Sequence, residues 1–541
     1  MSTFQLCSTD GRGYLVTLSE TPVTIGRNKD NVLALGDDAA SRYHCVVEPD
    51  GFGGYKLRDL GSRNGTKVNQ FRVVGMEHQL KPGDTIKVGT HSFVYEQERT
   101  IGEVRAEVRS RTLDTDQAWG AELEGILEAL APKGEGDEPV TMINASGEVT
   151  PALAGDAHGS KAARLLLLMA AKSRATDIHV EPKGAKWLVR VRVDGQMVHI
   201  CDLPQKIGEL AIGLVKTGCL MRQAAADSVQ DGHFAAKLQS RRVDYRVSIT
   251  PSMHGQKMVI RVLDGANAPR SLTELGLPPY MHERLRKVCT KEQGFVLVCG
   301  PTGSGKTTTL YNALREIDRD TTNVVTIEDP VEYQLEGVTQ IPIDEHKGNT
   351  FKELLRSVLR QDPDVILVGE IRDEETARTA MQAAMTGHLV FSTVHSKDSI
   401  SAVFRLLDLK VEPFLVASSL DLIIAQRLVR ALCDNCKTPV RVTPGQSTRM
   451  GKFLDGKNET YAATGCAQCL RTGYRGRLAI YESLDFTDDL RDVVLKDPSI
   501  GAIRKCVEHA LFTPLLHAGW LLAAKGKTSL EEVERVCGSG V

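Results

Sequence analysis

The chain has 541 residues, too many for one hydrophobic core, so several domains are expected. Its composition, 41% hydrophobic and 25% charged, is ordinary for soluble proteins, and the longest apolar runs are too short to cross a bilayer. The net charge of −2 excludes the global basic field on which many nucleic-acid-binding proteins depend. The N-terminal sequence MSTFQLCSTD lacks the basic and apolar regions of a signal peptide, so a cytoplasmic chain is expected.

The N-terminal segment, residues 1–98, alternates short apolar stretches such as YLVTL and TIKVG with Asp-Gly, Asn-Gly and Pro-Gly turns. This pattern predicts an all-β sandwich. Residues 99–159 are acidic and contain Pro, Gly and Ala, which is typical of a linker, with one short helix expected around residues 119–130.

Residues 160–268 are expected to form an α/β domain that presents arginines. A helical apolar pattern leads into strands, and valine alternates with Arg190 and Arg192 before an Asp194-Gly195 hairpin turn. Because strand side chains alternate with period two, both arginines share one face, and Arg242 and Arg246 do so further along the chain.

Residues 269–541 are expected to form a RecA-like α/β domain. The apolar strands FVLVC, NVVTI, DVILVG and HLVFST alternate with helices, which favours a doubly wound parallel sheet. Two cysteine pairs and a helical tail follow from about residue 431.

The segment GPTGSGKT follows the strand FVLVC and precedes a helical stretch, which is the context of a phosphate-binding loop. In such a loop, backbone N–H groups wrap the phosphates at a helix N-terminus. We expect Lys306 to reach the β and γ phosphates and Thr307 to hold Mg²⁺. The residues expected to bind ATP are Gly300, Pro301, Thr302, Gly303, Ser304, Gly305, Lys306, Thr307 and Thr308.

Two carboxylates follow apolar strands at the edge that lines the ligand crevice of an open α/β sheet, Glu328 and Glu370. Glu370 is expected in the shell of Mg²⁺ and the attacking water, and Glu328 is expected to polarise that water. The sequence does not decide which of them is the base, and solvated strand-end acids are the alternative. His395 follows another strand and either contacts the γ-phosphate or packs.

The strings GPTGSGKTTTLY, TIEDPVEYQLEGVTQ and FKELLRSVLRQDPDVILVGEIRDEETARTAMQAAMTGHLVFSTVHS resemble the type II secretion and type IV pilus assembly ATPases. They correspond in order to that family's Walker A, Asp box, Walker B and His box. ATDIHVEP, VRVRVDG, VDYRVS and MVIRVLD resemble motifs of its preceding domain, so the resemblance covers about residues 175–484.

This resemblance implies a homo-hexamer in which ATP lies between the two folded domains. Arginines of the preceding domain or a neighbouring subunit would complete the site, and the candidates by position are Arg190, Arg192, Arg246 and Arg261. A solvated strand face is the alternative for each of them. One departure is His233, which stands where the family usually has an arginine, and this weakens any expected contact from that loop.

Two CxxC pairs, Cys433/Cys436 and Cys466/Cys469, offer four thiolates for a closed tetrahedral zinc site with a structural role. The module, about residues 430–475, resembles the zinc insert of assembly-type members of the family. Residues 427–477 carry ten Lys or Arg against three acids. Such a surface suits an anionic membrane, an acidic partner or solvent, while nucleic acid is not favoured because few aromatics are present to stack bases.

The N-terminal segments TIGR, SRYH and GSRNGTKVN have the order and spacing of a forkhead-associated (FHA) domain. The resemblance implies a phosphothreonine ligand, with Arg27 and Ser41 on the phosphate, Arg42 and Arg63 nearby, and Asn64 on the peptide backbone. His44 would brace the loops. A sandwich that binds an unphosphorylated partner is the alternative.

We therefore expect a hexameric ATPase that drives assembly of a type II secretion pseudopilus or a type IV pilus. It would act peripherally at the inner membrane on a platform protein, with the FHA domain docking a phosphothreonine partner. The alternatives are a phospho-dependent scaffold with little turnover and a nucleic-acid translocase or DNA-uptake ATPase.

Overall fold

The computed structural model describes residues 4–8, 15–18, 21–51, 54–69, 71–73, 77–97, 118–130, 140–155, 157–238, 241–265, 268–454, 456–508 and 511–538. The chain divides into two compact units, Met1–Thr115 and Asp116–Val541.

The first unit is built from two β-sheets. Its strands are β1 (Phe4–Ser8), β2 (Leu15–Leu18), β3 (Val23–Gly26), β4 (Leu33–Ala34), β5 (Cys45–Pro49), β6 (Tyr55–Asp59), β7 (Thr66–Val68), β8 (Phe71–Val73), β9 (Glu77–Gln79), β10 (Thr85–Val88) and β11 (His91–Gln97). One sheet has the order β2-β1-β11-β10-β7-β8 and the other β4-β3-β5-β6-β9. Inward-facing residues such as Leu6, Ile25, Val47 and Phe93 form one buried core, as a β-sandwich requires.

The second unit begins with the arginine-bearing domain. Its elements are α1 (Ala118–Leu130), β12 (Val140–Ile143), β13 (Val149–Thr150), α2 (His158–Ser173), β14 (Ala175–Lys183), β15 (Lys186–Val193), β16 (Gln196–Pro204), α3 (Gln205–Gly218), β17 (Gln230–Leu238), β18 (Arg241–Ser252) and β19 (Gly255–Leu263). They form an eight-stranded sheet in the order β13-β12-β17-β18-β19-β14-β15-β16. The expected hairpin is present, since β15 pairs with β16 and both Asp194 and Gly195 have positive φ.

The prediction that residues 99–159 form a linker is wrong for the described residues in its C-terminal part, which include 118–130 and 140–155. Strand β12 pairs with β17 inside the sheet, and Trp119 and Leu123 of α1 are buried in the same core as α2. The apolar side chains of α1 and β12 therefore belong to a folded domain, and the acidic, Pro- and Gly-containing stretch between them does not mark its boundary. Residues 99–117 and 131–139 lie outside the described residues.

The RecA-like domain follows. Its elements are α4 (Pro279–Cys289), β20 (Gly294–Cys299), α5 (Lys306–Arg315), β21 (Val324–Glu328), β22 (Thr339–Pro342), α6 (Phe351–Val358), β23 (Val365–Val368), α7 (Glu374–Met385), β24 (Leu389–Val394), α8 (Ser399–Asp408), α9 (Pro413–Ser419), β25 (Leu420–Leu432), β26 (Lys437–Arg441), α10 (Pro444–Met450), β27 (Glu459–Ala463), β28 (Tyr474–Asp485), α11 (Asp488–Lys496), α12 (Ile500–Val507), α13 (Leu515–Ala524) and α14 (Leu530–Cys537).

The central sheet of this domain has the order β22-β21-β23-β24-β20-β25-β28. Its strands are parallel except β28, which pairs antiparallel with β25. Strands β20, β23 and β24 are fully buried, because helices cover both faces. The carboxyl ends of β20, β21, β23 and β24 therefore meet at one edge, where a ligand crevice is expected.

The four cysteines lie in an insert between β25 and β28, and β26 and β27 of this insert form a separate two-stranded sheet. Among the described residues, every helix is too short or too polar to traverse a bilayer.

Candidate functional site: a phosphate-loop cleft

The loop between β20 and α5 borders a cleft of about 580 Å³, a size that suits a nucleotide. Gly303 and Gly305 have φ of +77° and +88°, which side chains with a Cβ rarely adopt, so the loop turns tightly enough to aim its N–H groups at one point. The residues Thr302 to Thr308 all line the cleft.

Lys306 begins helix α5 and lies over the loop. Its Nζ donates hydrogen bonds to the carbonyl oxygens of Gly300 at 2.9 Å and Pro301 at 3.2 Å. Burial lowers the pKa of Lys306, and the nearby Glu370 carboxylate opposes that change. Lys306 therefore lies at the start of a helix, beside the phosphate loop, as its predicted role requires.

Glu370 and His395 meet because β23 and β24 are parallel neighbours whose carboxyl ends are in register. His395 Nε2 lies 3.0 Å from Oε1 of Glu370, and Arg372 donates to Oε2 at 2.9 Å. The side chain of Glu370 is 17% exposed and faces the cleft. The predicted Glu370 and His395 are thus in contact, and both side chains line the cleft.

Glu328, at the end of β21, also borders the cleft but is only 3% exposed. Its Oε1 accepts hydrogen bonds from Thr326 Oγ1 at 2.6 Å and from Gln340 Nε2 at 3.1 Å, and its Oε2 accepts one from the Tyr311 hydroxyl. The carboxylate is therefore buried and accepts three hydrogen bonds, unlike the solvated acid that the sequence left as an alternative.

The four arginines predicted to complete the site have other partners in this chain. Arg190 pairs with Glu181, while Arg192 and Arg261 each lie 3.5 Å from Asp177. These three lie on one face of the sheet formed by β14, β15 and β19, and they are not among the residues that line the cleft in this described part of the chain.

Arg246 is placed differently. Its Nη2 donates to the carbonyl oxygen of Val331 at 3.0 Å, in the loop that follows Glu328. It thus contacts the backbone at the border of the cleft, and its predicted contact with nucleotide stays a prediction, as it does for the other three arginines.

Two cationic side chains of the cleft were missed by the sequence analysis. Arg372, two residues after Glu370, binds that carboxylate, and Arg477 on β28 also lines the cleft. Arg372 could have been predicted from the sequence, because it lies only two residues after Glu370. Arg477 had no signal, because only the antiparallel pairing of β28 with β25 brings it there.

The four cysteine sulfurs form one cluster in which all ligand atoms lie within 4.8 Å of one another. The Sγ atoms of Cys433 and Cys466 are 3.9 Å apart, those of Cys436 and Cys469 3.8 Å, and those of Cys466 and Cys469 3.7 Å. Four sulfurs around a zinc ion at about 2.3 Å are separated by about 3.8 Å, so the donor set fits tetrahedral zinc. The N–H of Gly473 also donates to the sulfur of Cys469, as expected for a thiolate ligand.

The cations of the insert are in part paired within the chain. Lys437 binds Asp434 at 2.6 Å, Arg449 binds Glu534 at 3.0 Å, and Lys457 donates to the carbonyl of Ala524. The two ion pairs lower the positive charge available to an anionic membrane, and contact of the insert with such a membrane stays a prediction.

In the first unit, the predicted phosphopeptide residues lie on three neighbouring loops. Arg27 follows β3, Ser41 and Arg42 lie between β4 and β5, and Arg63 and Asn64 lie between β6 and β7. The Arg63 N–H donates to Ser41 Oγ at 3.0 Å, and the Asn64 amide donates to the carbonyl of Ala39 at 2.8 Å. These bonds bring the loops together at one end of the sandwich.

His44 is completely buried behind these loops, and its Nδ1 accepts a hydrogen bond from the Ser41 N–H at 3.0 Å. Burial lowers the pKa of His44, which keeps the ring neutral and able to accept. The predicted bracing role of His44 agrees with this geometry. Arg27 pairs with the exposed Asp38 at 2.7 Å, an ion pair that a dianionic phosphate can displace because exposed pairs are weak.

Each of the two units matches a model of a known protein family. A family model described as type II/IV secretion system protein matches residues 154–535, and one described as FHA domain matches residues 23–89. The type II secretion system protein E of Aeromonas hydrophila is 41% identical over 372 residues, 69% of this chain and 74% of the relative.

The type IV pilus assembly ATPase PilB of Myxococcus xanthus is 40% identical over 384 residues, 70% of this chain and 68% of the relative. The X-ray structure of the Legionella pneumophila ATPase DotB is similar with a TM-score of 0.53, over 69% of this chain and 94% of that one. At 21% identity this structural similarity shows the fold alone. The chain belongs to the type II/IV secretion system protein family, as a P-loop ATPase with an N-terminal FHA domain.

Proposed function

We propose that this protein is a ring-shaped motor that hydrolyses ATP in the cleft between β20, β21, β23 and β24 and so drives assembly of a type II secretion pseudopilus or a type IV pilus. The observation that carries the proposal is the convergence of Lys306, Glu328, Glu370 and His395 on one cleft. Relatives named for secretion and for pilus assembly support both versions of the function equally.

In this account Lys306 binds the β and γ phosphates together with the loop N–H groups. Thr307 and Glu370 would hold Mg²⁺, which supplies neutralising charge for the triphosphate. Both side chains line the cleft, so the donor set fits a hard cation that prefers oxygen ligands. Glu328 orients and polarises the attacking water, and His395 keeps the Glu370 carboxylate directed at the cleft.

We further propose a homo-hexamer in which an arginine from the preceding domain of one subunit completes the site of its neighbour. Arg261 is the most exposed of the candidates: its side chain is 64% exposed, against 36% for Arg190 and 40% for Arg192, and Arg246 is half-buried. A guanidinium offers permanent planar charge for the γ-phosphate, and its loss typically costs about 10³-fold in rate.

The experiment that tests the ring mixes two inactive variants, Lys306→Ala and Arg261→Ala. Each is expected to have little ATPase activity alone. Mixing restores activity if intact Lys306 of one subunit faces intact Arg261 of another, because some sites in mixed rings are then complete. Activity of Arg261→Ala alone at the wild-type level, or no recovery on mixing, contradicts the shared site.

The FHA domain is proposed to dock a phosphothreonine-containing protein and so to recruit or regulate the motor. Arg27, Arg42 and Arg63 would pair with the phosphate, while Ser41 and Asn64 donate oriented hydrogen bonds. The Ser41 N–H is bonded to the buried His44 and the Arg63 N–H to Ser41 Oγ, which supports a site formed in advance of binding. The motor would act at the inner membrane on a platform protein.

The four-cysteine insert is proposed to hold one structural zinc ion. Four thiolates leave no coordination position for a substrate water, so the ion would stabilise the insert and take no part in ATP cleavage.

A further inference from the structure

The carboxylate of Glu328 is held from behind by two side chains that lie outside the cleft. Tyr311 is on α5, five residues after Lys306, and its side chain is fully buried. Gln340 is on β22, the parallel neighbour of β21, in register with Thr326. Neither residue lines the cleft, so any effect of either on ATP must pass through another group.

The hydroxyl of Tyr311 keeps its proton and can therefore always donate a hydrogen bond to Glu328. Burial and the adjacent Glu328 raise its pKa far above the ordinary value, so the phenol stays protonated at any working pH. Its ring packs edge-on against Tyr333, with centroids 4.7 Å apart at 81°, which fixes the direction of the hydroxyl. A charged acceptor makes the Tyr311–Glu328 bond stronger than a bond between neutral groups.

Gln340 links the same carboxylate to the loop that follows β21. Its Nε2 donates to Glu328 Oε1 at 3.1 Å and to the carbonyl of Tyr333 at 3.2 Å, and its Oε1 accepts from the N–H of Leu335 at 2.7 Å. Both the oxygen and the nitrogen of the Gln340 amide are thus bonded to the backbone of this loop, and these bonds determine the orientation of the amide.

These contacts connect the phosphate loop to Glu328 through α5. The helix begins at Lys306, the residue proposed to bind phosphate, and carries Tyr311 five residues, or about 1.4 turns, later. A shift of the loop and helix therefore moves the donor on which Glu328 Oε2 depends. Misplacement of a reacting group by about 1 Å can cost about 10²-fold in rate.

We propose that Tyr311 and Gln340 are positioning residues that set the orientation of the Glu328 carboxylate toward the attacking water. This inference rests on the proposed role of Glu328 in hydrolysis. It makes the hydroxyl of the tyrosine in GKTTTLY, rather than its ring alone, a determinant of turnover.

The test compares Tyr311→Phe, Gln340→Met, Glu328→Gln and the double variant Tyr311→Phe/Glu328→Gln in the full-length protein. Tyr311→Phe keeps the ring and removes only the donor, so kcat is expected to fall about 10-fold or more while KM for ATP stays within about 2-fold. Gln340→Met keeps the side-chain length and is expected to act in the same direction.

The matched control is Tyr481→Phe. Tyr481 is also a buried tyrosine of this domain, but its hydroxyl donates to the carbonyl of Leu275 at 3.0 Å and has no bond to Glu328. Loss of the Tyr481 hydroxyl should lower thermal stability by about as much as loss of the Tyr311 hydroxyl does. It should leave kcat near the wild-type value.

The double variant gives the sharpest result. If Tyr311 acts through Glu328, the double variant has the same kcat as Glu328→Gln alone, because nothing is left to position. Additive losses, or a kcat of Tyr311→Phe equal to that of the control, overturn the inference. A wild-type kcat for Glu328→Gln would instead overturn the proposed role of Glu328 itself, so the two failures are distinct.

Discussion

His395 Nε2 lies 3.0 Å from Oε1 of Glu370, and this contact joins the ends of two parallel strands across the floor of the cleft. Loss of the His395 contact should leave Arg372 as the remaining ion-pair partner of Glu370 among the described residues. We expect His395→Ala to lower kcat for ATP by roughly 10- to 100-fold, in the range typical of losing one polar contact of a catalytic group.

The control for this prediction is His388→Ala. His388 precedes β24, the strand that His395 follows, and the described contact of its ring is a hydrogen bond between Nδ1 and the carbonyl oxygen of Ala383 at 3.0 Å. Steady-state phosphate release, measured for both variants, distinguishes a His395 that contributes to catalysis from one that only packs. Equal activities would show that His395 packs and does nothing more.

A structural zinc ion predicts one equivalent of zinc per chain. Cys436→Ser should lose that zinc, as measured by elemental analysis of purified protein, because three ligands hold the ion far less tightly than four. Cys506→Ser, which changes a cysteine outside the cluster, should retain it. Zinc at the wild-type level in Cys436→Ser would contradict the assignment.

Metal removal should also loosen helix α1. Leu470, beside Cys469, packs against the core that contains Trp119 and Leu123 of that helix. We expect faster amide hydrogen exchange in residues 118–130 after zinc is chelated, with exchange in β20 unchanged. Unchanged protection of α1 would show that the insert keeps its shape without the metal.

The FHA site predicts selective binding of phosphothreonine. In the full-length protein, Arg27→Ala and Ser41→Ala should each weaken binding of a phosphothreonine peptide by about 10-fold or more, since each removes a charge-assisted bond. Arg58→Ala is the control, because Arg58 lies on β6 and pairs with Glu48. Calorimetric titration that finds equal affinity for the unphosphorylated peptide would exclude phosphothreonine recognition.

The stability of the helical tail should depend on pH through Glu532. Burial raises the pKa of this carboxyl, but hydrogen bonds from Arg535 and Arg430 outweigh burial and bring it from an ordinary 4.5 to about 2. A lowered folded-state pKa stabilises the folded form above the unfolded-state pKa, and that stability is lost as the pH falls from about 4.5 to 2.

A shift of this size corresponds to about 3 kcal/mol at neutral pH. Glu532→Gln should therefore lower the melting temperature at pH 7, and its difference from the wild type should shrink toward pH 3. Glu531→Gln, an exposed neighbour, should match the wild type at both pH values. A difference that does not change with pH would show that the ion pairs contribute nothing through this carboxyl.

Local motifs made the phosphate loop, Glu370, His395 and the cysteine cluster predictable, because each depends on a short spacing or on the end of an apolar strand. The buried state of Glu328 was not predictable. Its donors come from α5, β21 and β22, and only the pairing of β21 with β22 brings Gln340 to it.

The boundary of the arginine-bearing domain was missed for a similar reason. Strand β12 is four residues long and gains its stability from pairing with β17, nearly a hundred residues later. Composition around it favours a linker, and tertiary pairing overrides composition. The contact of Arg246 with the carbonyl of Val331 likewise depends on how two domains pack, which period-two alternation cannot reveal.

If ATP is cleaved in the cleft formed by Lys306, Glu328 and Glu370, removing the charge of Glu370 should abolish most turnover. Steady-state phosphate release with ATP and Mg²⁺ is measured for the wild type and Glu370→Gln at equal concentration and oligomeric state. We expect clear turnover by the wild type and a loss of about 10²-fold or more in the variant. Equal release by the two proteins, or no release by the wild type, would contradict cleavage of ATP in this cleft.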